Sequence, residues 1–275
     1  METNNVLGDF LRAHRERITP EDVGLGRGVG VRRVPGLRRE EVAMLAGISS
    51  DYYLRLEQGR DRHPSVQVLD ALARVLRLDA DATAYLIGLS QPTSRTAARP
   101  TAGSTAIPES IRHLLDEQTS PAFVQTRWLD VIAANRMAIA LTPNLSPGVN
   151  RLRAAFLDPA ERAFHRDWAE AVAQAVAGLR ADATGHGDDP RLATLVGELS
   201  LKSEEFRQLW ARHDVRRPEG RFSLMHHPEV GDLDLYADKL IIAGTDGLVL
   251  GVYHAEPGSE SARSLALLGS LAASA

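Results

Sequence analysis

Apolar side chains recur with a helical period over the first ninety residues. Leu7, Phe10, Leu11 and His14 share one face of a segment ending at Arg17, and "TPEDVG" stops it. "LGRGVGVRRVPG" has four glycines and a proline, so it is a loop or a small β-turn excursion. Helices are expected over Arg38 to Ala46 and Ser50 to Gln58. Ser65 caps a fourth that turns Val68, Leu69, Leu72, Ala73 and Leu76 inward, and Ala80 to Leu89 makes a fifth.

From Gln91 to Ala106 the pattern stops. "QPTSRTAARPTAGSTA" has no acid and no large apolar residue, so it is expected to be a mobile linker. A helix over Glu109 to Gln118 and two strands, "AFVQT" and "WLDVIAA", follow it. A helix then starts at Asn135, and helices dominate from Arg151 to Asp214. One long helix is expected to align Phe164, Trp168, Val172, Val176 and Leu179. Another carries Phe206, Leu209, Trp210 and His213. "RFSLMH", "LDLYADKLIIAG" and "LVLGVYH" alternate as strands, with a turn signal at Asp246-Gly247 and a last helix after "EPGS". The expected fold is an all-α five-helix domain over residues 1–91, a linker over 92–106, and an α+β domain with an antiparallel sheet over 107–275.

Composition narrows the function. The 275 residues contain no cysteine, which removes disulfides, thiolate zinc sites and cysteine nucleophiles. Neither a signal peptide nor a run long enough to span a bilayer is visible, so a cytoplasmic, nucleoid-associated protein without membrane partners is expected. Net charge is −4, but five arginines and no acid lie from Arg27 to Arg39. Adjacent His226 and His227 on a strand point to opposite faces and cannot easily share a metal ion. The third glycine of a dinucleotide fingerprint is missing from "GLGRGVG", and no nucleophile elbow occurs. No catalytic residue, metal or cofactor is assigned, and an enzyme is not expected.

"RREEVAMLAGISSDYYLRLEQG" carries the most specific signal. Two steeply crossing helices need a small contact residue, Ala43, and a turn residue tolerating positive φ, Gly47. Val42, Ile48, Tyr53 and Leu56 then pack the hairpin, and Ser49 can cap its second helix. A partly buried ion pair between Glu57 and Arg15 is expected.

The segment is similar to the XRE/Cro-repressor type of helix-turn-helix. That resemblance places Arg39 at phosphate or base and turns Ser50, Asp51 and Arg55 to base edges, with Tyr52 beside them. Arg55 suits guanine and Asp51 suits cytosine N4. Arg38, Arg60 and Arg62 join this DNA-facing set. Arg32 and Arg33, on an inserted loop that compact repressors lack, either touch phosphates or are simply solvated. With "FLDP", "FRQLWARHDV", "HPEVG" and "AEPGS", nearly the whole chain resembles the MmyB-like transcriptional regulators. The resemblance implies a homodimer on a palindromic operator in double-stranded DNA. It also implies a PAS-like C-terminal domain that binds a fatty-acid-like small molecule. Phe156, Phe164, Trp168, Phe206 and Trp210 are candidates for an apolar lining, and any of them can instead be plain core. Asn135, Arg151, Arg153 and His213 are candidates for the polar head, although Asn135 and His213 also suit helix ends. The alternative is a C-terminal domain that only dimerises or binds protein.

Overall fold

The helical period of the first ninety residues becomes five helices in the computed structural model, which describes residues 5–26, 36–61, 63–90, 106–184, 186, 189–216 and 221–274. They are α1 (Val6–Arg17), α2 (Arg39–Ala46), α3 (Ser50–Glu57), α4 (Val66–Val75) and α5 (Ala80–Ser90). A 3₁₀ turn at Glu21–Val23 ends the first helical region, where "TPEDVG" marked a stop. Asn5, Ser49 and Ser65 cap α1, α3 and α4 by accepting the backbone N–H three residues on. Gly47 closes α2 with φ 69°, a conformation that costs glycine nothing, and α3 follows at once. The expected linker up to residue 105, and Arg27, Arg32, Arg33 and Arg62 with it, lie outside the described residues.

The chain forms two compact units. The first gathers Met1–Arg95 with Arg180–Gly187 and Gln208–Arg217. Its core includes Phe10, Leu11, Leu37, Val42, Tyr53, Leu56, Leu69, Leu72 and Leu86, together with Val215 from the distant segment.

The second unit holds Thr96–Leu179, Asp188–Arg207 and Pro218–Ala275. Its sheet has strands β1 (Ala122–Gln125), β2 (Val131–Ala134), β3 (Arg221–His227), β4 (Gly231–Ile241) and β5 (Val249–His254). The order is β2-β1-β5-β4-β3, with every neighbour antiparallel. This is the expected α+β, PAS-like architecture. One face carries Phe123, Met225, Leu233, Leu235 and Tyr253 into a core with Leu141 of α7 (Arg136–Leu141) and Leu268 of α13 (Glu260–Ser274). The other carries Ala122, Val124 and Leu250 against Ile107 and Leu115, the latter from α6 (Glu109–Glu117). Because β1 is covered on both faces, it is apolar at consecutive positions instead of alternating.

Two elements differ from the periodic reading. The strand expected from Trp128 starts only at Val131. Leu129 takes φ 68°, Leu129 N–H donates back to Thr126, and Trp128 is buried with its indole N–H on Asp189. The long helix expected to carry Phe164 is two helices. α9 (Pro159–Phe164) ends where His165 bridges to Met225 and Arg166 N–H donates to Leu224 O, and α10 (Trp168–Asp182) begins afterwards. Backbone pairing with β3 breaks the helix there, which a 3.6-residue count does not register. The helical block also holds α8 (Arg151–Leu157), α11 (Pro190–Lys202) and α12 (Glu204–Ala211).

Candidate functional site

The hairpin is fixed by one buried carboxylate. Glu57, at the end of α3, is fully buried. Arg15 of α1 donates through Nε to its Oε1, and Arg39 of α2 donates through Nε to its Oε2, each at 2.6 Å. Burial alone would push the Glu57 carboxyl up. The hydrogen bonds from Arg15 and Arg39 outweigh it and hold the group below the usual carboxylate range. The expected Arg15–Glu57 pair is therefore present, and Arg39 is a third member that pattern reading did not find. A further contact anchors α2: Arg38 N–H donates to the Glu41 carboxylate at 2.6 Å. This is half of a capping box, masked in sequence because Arg38 stands where serine or threonine usually does.

The scaffold leaves an outward surface. Arg38, Arg39, Ser50, Asp51, Arg55 and Arg60 are exposed. The cap hydroxyl of α3 belongs to Ser49, so Ser50 is not needed at the helix end. Tyr52, expected beside the base-reading residues, packs partly against the core, and the Arg55 guanidinium lies 5.6 Å over its ring. Asp51 forms an ion pair with Arg55 one turn along.

The candidate ligand residues separate. Asn135 caps α7 by accepting from Ala138 N–H, also accepts from Ala122 N–H, and donates to Gln118 O and Ser120 O. All its bonding capacity is spent on structure. Arg153 pairs with Glu198 at 2.7 Å and is already neutralised. Phe164 sits in the central core of the second unit. Phe156 packs edge-on against Trp168 and Phe206, at 6.1 and 5.3 Å, so those three rings satisfy one another. Trp210 and His213 are not in the second unit. They belong to the first, where Arg180 stacks 3.9 Å over the Trp210 ring and meets His213 Nδ1 at 3.2 Å. His213 lies two residues past the end of α12 with φ 54° and donates its backbone N–H to Trp210 O, so it closes the helix end, as its alternative reading had it.

Arg151 is different. Its Nη1 donates to the Gln125 amide oxygen and its Nη2 to the Tyr253 hydroxyl, both at 2.9 Å, and its guanidinium lies 4.7 Å over Phe123. Gln125 and Tyr253 are buried. Both partners are neutral; the buried Glu161 carboxylate feels the Arg151 charge, but among the described residues no carboxylate forms a salt bridge with Arg151. Gly251 makes this geometry possible: it faces Phe123 across β1 and β5, and a Cβ there would come within 2.4 Å of the ring. Nothing in the sequence joins Arg151 to Gln125 or Tyr253, which lie 26 and 102 residues away.

A cavity of about 610 Å³ opens elsewhere in the second unit. Its lining includes Arg166, Phe222, Asp232, Asp234, Glu256 and Ser261, and none of the candidate ligand residues.

A helix-turn-helix with a free recognition surface, joined to an α+β ligand-binding module, defines a DNA-binding transcriptional regulator. The chain belongs to the MmyB-like transcription regulators: the ligand-binding domain of that family matches residues 107–268, and a helix-turn-helix domain matches residues 6–86. No curated protein matches the sequence. No helix among the described residues is long and apolar enough to cross a membrane.

Proposed function

We propose that this regulator reads double-stranded DNA with the exposed face of α2 and α3, as a homodimer on a palindromic operator in the cytoplasm, and that an amphipathic anion bound by the C-terminal domain modulates it. The observation behind the DNA reading is the separation of roles inside the hairpin. Glu57 holds Arg15 and Arg39 from within, while Arg39, Ser50, Asp51 and Arg55 remain outside the core. Such a dimer would place two recognition helices about 34 Å apart. The division of labour follows the matched domains, with residues 107–268 as the sensing part.

The observation behind the ligand reading is Arg151. Arg151 donates only to an amide and a hydroxyl and lies over an aromatic ring, while Glu161, the carboxylate whose pKa its charge helps to lower, is hydrogen-bonded to Asn144 and His165 instead, so the guanidinium still suits a ligand carboxylate. Together with the apolar surroundings of Phe123 and Tyr253, this favours a fatty-acid-like ligand over a neutral or cationic one.

One experiment tests both parts. Purified full-length protein is used to select from random duplexes, and the selected site is then titrated with and without a medium-chain fatty carboxylate. Failure to enrich any motif would remove the DNA reading. An enriched motif whose binding ignores the carboxylate, with no carboxylate bound in native mass spectrometry, would leave a dimerisation module in place of the sensor.

A further inference from the structure

The DNA-facing surface contains an acid. Asp51 and Arg55 stand one turn apart on α3, and Arg55 Nη1 donates to Asp51 Oδ2. Arg39, the other exposed arginine of the hairpin held by a carboxylate, is held differently. Its Nε goes to Glu57, so that contact leaves its terminal nitrogens uncommitted, whereas Arg55 commits a terminal nitrogen. The two arginines are thus prepared for different tasks. One offers the tip of its fork to a phosphate. The other has its tip occupied by a carboxylate, above the Tyr52 ring.

A phosphate offers Arg55 little that Asp51 does not already supply, because both are anionic oxygen acceptors. Asp51 is also largely solvent-exposed, with 73% of its side chain accessible, so in any register along DNA it repels nearby phosphates. A guanine edge presents two neutral acceptors, O6 and N7, in the geometry of a guanidinium fork. Arg55 can meet that edge without giving up an anionic partner.

We propose that Asp51 is a positioning residue that acts through Arg55: it weakens binding to random DNA and directs Arg55 to a guanine. The inference rests on the reading that the α3 face meets DNA. It replaces the simpler idea that Asp51 itself reads a cytosine amine.

The test uses the full chain and three variants, Asp51→Asn, Arg55→Ala and the double substitution. Binding is measured by fluorescence anisotropy to the selected site, to that site with each guanine replaced in turn, and to a random duplex, over a salt series. Asp51→Asn should tighten random binding about 3- to 10-fold at ~0.1 M salt, because Arg55 gains a phosphate contact. The log–log salt slope should steepen by about 1. Preference for one particular guanine should fall about 10-fold, and that loss should disappear in the Arg55→Ala background. The proposal is overturned if Asp51→Asn weakens the selected site, leaves random binding unchanged and does so equally without Arg55, since Asp51 would then read a base directly. It is also overturned if Asp51→Asn changes neither random binding nor guanine preference. Failure of the unaltered chain to select any motif would instead overturn the DNA reading on which the inference rests.

Discussion

Arg15 donates to Glu57 at 2.6 Å with neither side chain open to solvent, and that contact ties the first helix to the end of the recognition helix. Two buried charges gain little net stability by pairing, but breaking the pair strands one of them. Glu57→Gln should therefore cost about 3–5 kcal/mol in urea unfolding followed by helical signal. Arg39 is half-exposed, so Arg39→Ala should cost under about 1 kcal/mol while weakening DNA binding by about 10-fold. A stability loss for Arg39→Ala as large as that for Glu57→Gln would mean that Arg39 is structural and not a DNA contact. Because the folded-state pKa of Glu57 is lowered, its contribution is in place above the ordinary carboxylate range and drains as pH falls below it.

Arg151 and Arg153 are two residues apart in sequence and opposite in circumstance. Arg153 has Glu198 for an ion-pair partner, whereas Arg151 hydrogen-bonds only neutral groups and acts on Glu161 through its charge alone. A thermal shift produced by decanoate should be abolished in Arg151→Met and kept in Arg153→Met. Decanol, which lacks the charge, should stabilise the unaltered chain less than decanoate does. Equal shifts from decanoate in both variants would show that the carboxylate binds elsewhere.

Much of this could be seen before the structure, and the parts that could not share a cause. The hairpin was legible because its packing residues are close in sequence and their spacing is dictated by helix geometry: Ala43, Gly47, Ile48, Tyr53 and Leu56 can only be arranged one way. The α+β class and the strands β3 to β5 were legible by alternation. Arg39's bond to Glu57 was not, because helices α2 and α3 bring together residues 18 apart through side-chain reach and not through period. The ligand set was the least legible. Phe206 and Trp210 share a helix face in sequence, yet they fall in different units. Aromatic side chains fill cores and pockets alike, so composition cannot separate the two.

His213 is pushed down to about 3, first by burial, then by the Arg180 charge and by His14. Its neighbour His14 is also lowered, chiefly by burial. A histidine with a depressed folded-state pKa contributes stability that is fully present above its unfolded value of about 6.5 and is lost as pH falls toward 3. In that window the unfolded chain binds more protons than the folded one, so unfolding becomes easier with acid. His213→Asn removes the titrating ring and tolerates the left-handed backbone at φ 54°. Its unfolding free energy should vary less between pH 6.5 and pH 4 than that of the unaltered chain. Parallel curves for the two proteins over this range would rule out His213 as a source of acid sensitivity.

Arg180 is the companion case, a buried cation that lacks what Arg15 has. It is 3% exposed, its Nη2 donates to Trp210 O, and its Nε has no hydrogen-bond partner. Among the described residues no carboxylate pairs with it, and the nearby Asp214 is engaged by Arg17 at 2.5 Å. Burial accordingly lowers the Arg180 pKa, the reverse of Arg15. Replacing Arg180 with a flexible apolar chain removes a desolvated charge and one unmet N–H, at the loss of its hydrogen bonds to Trp210 and His213, its interaction with the buried Tyr85 hydroxyl and a ring contact. The opposing contributions are of similar size, so Arg180→Met should change stability by less than about 1.5 kcal/mol, far below the cost of Glu57→Gln. The same substitution removes the second-largest cause of the His213 depression. The His213 ring resonance, followed by NMR through an acid titration, should then titrate at a higher pH than in the unaltered chain. An unmoved titration would show that burial alone sets the His213 value and that the Arg180 charge is screened from the ring.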